Sequence, residues 1–195
     1  YKGAIPALFS GGRSECPESW RYIDITPAYN KIWFIIGGEC LLDLNGHEFI
    51  ARPYQLYLLP CGSKQSYYNI SENRVVQYWF HFSAPCGPLD LFKQISLPYC
   101  IEAKDVEYLT DLFDAVVQLE VKKALVDELT QKKLMLDILS YYIEHSATVG
   151  VYKEPDSHIK SLLEYIENNI DKDLSLQELC RFSHFHPRYF SRYFR

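Results

Sequence analysis

The chain has 195 residues, 48% of them hydrophobic and 23% charged, with a net charge of −5. That size and balance fit one large or two small globular units and exclude intrinsic disorder, collagen-like repeats and low-complexity sequence as the main theme. No apolar run approaches the ~18 residues that a bilayer-spanning helix needs, and no basic-then-apolar N-terminal segment reads as a secretory signal, so a cytoplasmic protein without membrane contact is expected. The sequence begins at Tyr1 rather than Met, and an upstream stretch is expected.

Residues 1–102 are rich in aromatic residues, Ile, Gly and Pro, and short apolar or alternating runs recur between turn residues. Lys31–Ile36 precedes Gly37-Gly38, and Cys40–Leu44 precedes Asn45-Gly46, the strongest hairpin signal in the chain. Glu48–Ala51 leads to Arg52-Pro53, Gln55–Leu59 runs to Pro60, and Val75–Phe82 ends before Ala84-Pro85. Strands at this close, regular spacing predict a sandwich or small barrel. Residues 103–148 hold neither Pro nor Gly from Ala103 to Ser146. The spacing of Val106, Leu109, Phe113, Val116 and Val117, then Leu125, Leu129, Leu136, Leu139 and Ile143, predicts two amphipathic helices broken near Lys122-Lys123. One apolar stripe can pack on the barrel or on the other helix, and the surplus should form a symmetric homodimer. Residues 149–156, punctuated by Gly150 and Pro155, read as a linker.

From residue 157 the pattern is helical again. Ile159, Leu162, Leu163, Ile166 and Ile170 form one stripe, closed by Asn168-Asn169 and Asp171. Ser175-Leu176-Gln177-Glu178 is a capping box that starts a second short helix. After a turn at His184-Phe185, His186 stands as N-cap and Pro187 at the first position of a third helix. Residues 157–195 therefore read as a helix-turn-helix. Between Leu179 and Arg195 there are four arginines and no acid. On the last helix Arg188, Ser191, Arg192 and Arg195 fall at i, i+3, i+4 and i+7 and share one face. Arginine can hold guanine bidentately, so Arg188 and Arg192 are the expected base readers, Ser191 reaches bases or phosphates, and Arg195 meets phosphate. A solvated basic face is the plainer reading of any single such helix, but the cap, the turn and the face together favour promoter DNA as a partner.

The stretch Tyr165-Ile166-Glu167-Asn168-Asn169, then Leu174-Ser175-Leu176-Gln177-Glu178-Leu179, then Pro187-Arg188-Tyr189-Phe190-Ser191-Arg192-Tyr193-Phe194, resembles the start of the AraC/XylS DNA-binding domain. Cys180 replaces the usual Ala and His186 the usual Ser. The family's domain carries two helix-turn-helix units, so the resemblance implies a fragment that ends after the first. The residues Ile35 to Leu42, Asn45-Gly46, Arg52-Pro53, Leu58 to Gly62 and Tyr78 to Phe82 resemble the cupin-like sensor barrel that accompanies that domain. The fold class this implies is α+β: a cupin-like β-barrel, a helical dimerisation segment and a truncated all-α helix-turn-helix. Against the metal-binding cupin motif G-x5-P-x-G-x2-H-x3-N, Pro60, Gly62 and Asn69 match, whereas Tyr54 replaces the glycine and Gln65 the histidine ligand. The strand of the first motif has Lys31 and Trp33 and no histidine. An amide is a poor transition-metal ligand, so no metal and no cofactor is expected.

Such a barrel encloses roughly one small ligand. Strand parity puts Gln65 and Tyr67 on one face and Gln77, Trp79 and His81 on another. The resemblance implies that Trp79 is the stacking platform for a sugar and Tyr67 a hydroxyl donor. Trp33, Gln65 and Gln77 complete the candidate ligand-binding set, with Arg21 on weaker footing, although strand tryptophans and tyrosines also serve as plain core. A small-molecule effector, a sugar or related polyol, is the expected partner. A cupin-type enzyme or a binding scaffold with a helical appendage is the competing class. His81, His145 and His158 have no ligand spacing, and no Gly-x-Ser-x-Gly elbow or Walker-type loop occurs, so no catalytic residues are expected. Cysteines 16, 40, 61, 86, 100 and 180 include no Cys-x-x-Cys pair and are expected to be reduced thiols.

Overall fold

The computed structural model describes residues 6–70, 72–86, 89–120, 124–147, 150–151 and 157–183. In chain order the strands are β1 (Ala7–Glu15), β2 (Arg21–Ile25), β3 (Asn30–Gly37), β4 (Cys40–Leu44), β5 (His47–Ala51), β6 (Gln55–Leu59), β7 (Gln65–Asn69), β8 (Val76–Ser83), β9 (Pro85–Cys86), β10 (Leu89–Asp90), β11 (Ile95–Ser96) and β12 (Cys100–Glu102). They are followed by α1 (Val106–Glu120), α2 (Leu125–Glu144), β13 (Gly150–Val151), α3 (Ser157–Asn168) and α4 (Leu176–Ser183). Two antiparallel sheets form the first half, one in the order β1-β8-β3-β6-β12 and the other β2-β7-β4-β5.

The two sheets do not close on each other among the described residues, so the expected barrel is corrected to a cupin-like sandwich whose sheets end at β1 and β12 and at β2 and β5. Closure would require the edge strands to pair, and two features mark those edges. The outer side of β6 is taken by β12, and the β2–β7 register breaks between Tyr22 and Ile25, where Asp24 adopts a φ of 55°. The β4–β5 hairpin turns at Asn45-Gly46, with φ of 54° and 85°, the left-handed pair that a two-residue turn requires. Gly38 has φ 69°, and a Cβ there would run into the Arg74 carbonyl.

Period-two alternation gives the five-stranded sheet two buried faces. Toward the other sheet it sends Trp33, Ile35, Tyr57 and Leu59, which pack with Leu42, Leu44 and Tyr67. Toward the helices it sends Ile32, Phe34, Leu56, Tyr78, Phe80 and Phe82, which pack with Leu109, Phe113 and Val116 of α1 and Ile138 and Tyr142 of α2. Both faces of that sheet are covered, so β3 reads as a continuous apolar run. The Asp105 carboxylate accepts from the Tyr108 amide at 3.0 Å and caps α1. Ser175 Oγ accepts from the Glu178 amide at 3.2 Å and caps α4, as the sequence predicts. Helices α3 and α4 meet through Leu162 and Cys180, with Tyr165 stacked on Phe182 at 4.2 Å. The third helix expected from Pro187, with Arg188, Ser191, Arg192 and Arg195, lies outside the described residues. Among the described residues no helix is long and apolar enough to cross a membrane.

Candidate functional site

A cavity of about 260 Å³ lies between the sheets where β1, β2, β3, β7 and β8 converge. Trp33, Tyr67, Gln77 and Trp79, four of the five residues singled out in the sequence, line it together with His81, Trp20 and Tyr22. The two strand faces assigned by parity confront each other across the sandwich: Tyr67 comes from β7, Gln77 and Trp79 from β8. Trp33 and Trp79 are register partners on adjacent strands, which sets two indoles side by side. Tyr67 meets the Trp33 ring edge-on at 4.8 Å and the Trp20 ring at 5.0 Å.

Gln65 is fully buried two residues before Tyr67 but does not reach the cavity. Its Nε2 donates to Ser63 Oγ at 3.0 Å, and its Oε1 has no partner among the described residues. Arg21 is exposed, its guanidinium 4.7 Å from the Tyr68 ring centroid on the outer surface. Among the described residues no three His, Cys, Asp or Glu side chains gather in a metal-holding group. The thiols are free, and burial pushes Cys16, on the cavity wall, up to about 11.

Lys31 is the residue that motif reading passed over. It sits one inward position before Trp33 on β3, 2% exposed. Its Nζ donates to the Tyr67 hydroxyl at 3.0 Å. The ammonium lies 4.8 Å from the Tyr67 ring centroid and 5.9 Å from those of Tyr29 and Trp33. No carboxylate among the described residues pairs with it, and burial pulls its pKa down to about 8. Burial and the Lys31 charge hold His81 down at about 4, so its ring is neutral at physiological pH. The Ser10 hydroxyl lies 3.2 Å from His81 Nδ1. Burial pushes the Tyr67 phenol upward, so it keeps its proton. At the rim, Glu15 pairs with Arg74 at 3.3 Å. The arrangement offers flat apolar platforms, a polarised hydroxyl and one side-chain amide, that of Gln77.

A second cavity, of about 220 Å³, lies by Asn45, Pro60, Cys61, Phe92, Lys93 and Tyr99. It lacks the stacked platforms and the buried charge of the first.

Residues 12–139 match the AraC-like ligand binding domain. The fold is similar to that of an apo variant of ToxT from Vibrio cholerae strain SCE256, at 9% identity and a TM-score of 0.53, covering 94% of this chain and 73% of that one. ToxT from Vibrio cholerae O395 bound to (E)-4-(8-methylnaphthalen-1-yl)but-3-enoic acid is similar at 11% identity and a TM-score of 0.53, covering 96% and 74%. The cupin domain of Schizosaccharomyces pombe Cnp3 is similar over 39% of this chain and 58% of that domain, at 19% identity and a TM-score of 0.34. No match was found among curated protein sequences. With about two-thirds of its length matched, the chain belongs to the AraC-like ligand-binding domain family.

Proposed function

We propose that the chain is the effector-sensing part of a cytoplasmic transcription regulator that binds promoter DNA as a homodimer. A small hydroxylated effector, a sugar or related polyol, enters between the sheets and stacks on Trp79 and Trp33, with Tyr67 and Gln77 supplying hydrogen bonds. The observation that carries this reading is the cavity itself: aromatic platforms with a few convergent polar groups are the usual makeup of a small-molecule site. The basic face of Arg188, Ser191, Arg192 and Arg195 supplies the DNA contacts, and α2 supplies the dimer surface. No cofactor or metal takes part.

Thermal melting of the chain against a panel of sugars, polyols and their acids tests the sensing half. Ligand that binds only the folded state raises the melting temperature by mass action. At least one class should do so in the wild type and fail with Trp79→Ala. If every class leaves both proteins unmoved, the cavity is a packing defect and the sensing role falls.

A further inference from the structure

We infer that the effector is a monosaccharide-sized acid whose carboxylate is received by the Tyr67 hydroxyl backed by Lys31, and whose hydroxyls are received by Gln77. This rests on the cavity being the effector site. The argument begins with an unbalanced charge. The Lys31 ammonium is buried, donates a hydrogen bond of 3.0 Å to Tyr67, and has no carboxylate partner among the described residues. Burying a cation without a counter-ion is costly. The rings of Tyr29, Trp33 and Tyr67 offset part of that cost through their negative faces. An anion would offset the rest.

The fold directs that anion to one place. Tyr67 accepts from Lys31 through its oxygen and keeps a proton to donate, and Tyr67 lines the cavity. The ammonium behind it polarises the O–H bond, so the phenol is a stronger donor to a negative acceptor than to a neutral one. Lys31 and Tyr67 are themselves buried, which lengthens the reach of the Lys31 charge. Trp33, Trp79 and Trp20 wall the space between with apolar faces of the kind that stack on a sugar ring. On β8, Gln77 is 3% exposed; its Nε2 lies 3.5 Å from Cys16 Sγ and its Oε1 has no partner among the described residues. Its terminal torsion is soft, so the amide can turn its vacant acceptor to a ligand hydroxyl.

Size and charge restrict the class further. A volume of about 260 Å³ falls just below the ~300 Å³ at which drug-sized pockets begin. One ammonium acting through one phenol suits a monoanion. No arginine among the described residues lines this cavity to fork a dianionic phosphate.

The test is titration calorimetry of the 195-residue chain with glucuronate and galacturonate, their parent hexoses and glucose 6-phosphate. One of the uronates should bind at least about tenfold tighter than its neutral parent, the size of one charge-assisted hydrogen bond. In Lys31→Met that ratio should collapse toward one, the acid weakening far more than the sugar. Met fills the volume of the lysine stem, so the variant should melt no lower than the wild type. Tyr67→Phe should lower the ratio as well. Equal or tighter binding of the neutral hexose overturns the acid and leaves the effector site standing. A preference that survives Lys31→Met overturns the assignment of the charge. Tightest binding of glucose 6-phosphate overturns the monoanion. Binding of none overturns the inference and the hydroxylated-effector reading together.

Discussion

Lys31 carries a cost that the folded protein bears at neutral pH. Its folded pKa of about 8 lies below the ordinary 10.5. Between those values the unfolded chain holds a proton that the folded chain has lost, so this group makes stability rise with pH across that window, and its full cost is present below about 8. Lys31→Met should therefore stabilise the ligand-free protein at pH 7, by up to about 3 kcal/mol at roughly 1.4 kcal/mol per pKa unit. The gain over wild type should shrink toward pH 10. Comparing the two proteins removes the opposing titration of Tyr67 and Cys16, whose pKa values are raised. A variant that melts lower at pH 7 would contradict this. His81 acts on the acid side. Its folded value of about 4 lies below the ordinary 6.5. As pH falls from 6.5 toward 4 the unfolded state takes the proton first, so stability is lost across that window. His81→Gln should melt with a flatter pH dependence there. At this scale the sequence was legible where parity sufficed: Trp33, Tyr67, Gln77 and Trp79 do share one cavity. Gln65 shares the parity of Tyr67 but lies too far along β7. Trp20 and Tyr22 come from a segment with no strand pattern, and Lys31 was visible only as a lysine two residues before an inward tryptophan.

Helix α1 packs on the sheet through Leu109, Phe113 and Val116, with the Phe113 ring as its aromatic anchor. Phe113 is fully buried against Phe80 at 5.1 Å and Phe34 and Tyr78 at 5.5 Å each. Phe113→Ala should cost about 3–5 kcal/mol in chemical denaturation, as cavity-forming core truncations do. Helix α2 is different. Its Ile138, Leu139 and Tyr142 are buried, but Leu125, Val126, Leu129 and Leu136 are exposed at 73%, 66%, 58% and 42%. That surplus face is the proposed homodimer surface. Leu129→Glu should convert a dimer into a folded monomer by light scattering, with its melting curve still cooperative. A wild type that is monomeric at high micromolar concentration would remove the proposal. Strands β4 and β6 match their expected ranges, and β3, β5 and β8 match within one residue at each end, because apolar runs bounded by Gly, Asn or Pro specify them locally. Strand β1 was not legible. Its Gly11 and Gly12 weaken any strand pattern, yet Gly11 is needed where a Cβ would overlap the Phe80 ring. Strand β7, Gln65–Asn69, has no aliphatic alternation, and only pairing with β4 and β2 makes it a strand.

The whole molecule is a two-sheet sandwich roofed on one side by α1 and α2, with α3 and α4 following. The closed ring expected from the motifs failed because closure depends on edge pairing, and neither the β2 irregularity nor the position of β12 is written in local spacing. The C-terminal reading is testable in a chain extended through a second helix-turn-helix. Arg188→Ala and Arg192→Ala should each cost about 1–3 kcal/mol on operator DNA and relax sequence preference, whereas Arg195→Ala should weaken all sequences alike and flatten the salt dependence. Equal losses on operator and random DNA for Arg188 and Arg192 would reduce them to a basic face. The central claim is that an effector occupies the space between the sheets. A crystal structure of the chain with its tightest-binding ligand tests this most directly. The account predicts the ligand stacked on Trp33 and Trp79 and within hydrogen-bond distance of the Tyr67 hydroxyl. A ligand held instead against Pro60, Phe92 and Tyr99, with the cavity between the sheets unchanged, would contradict it.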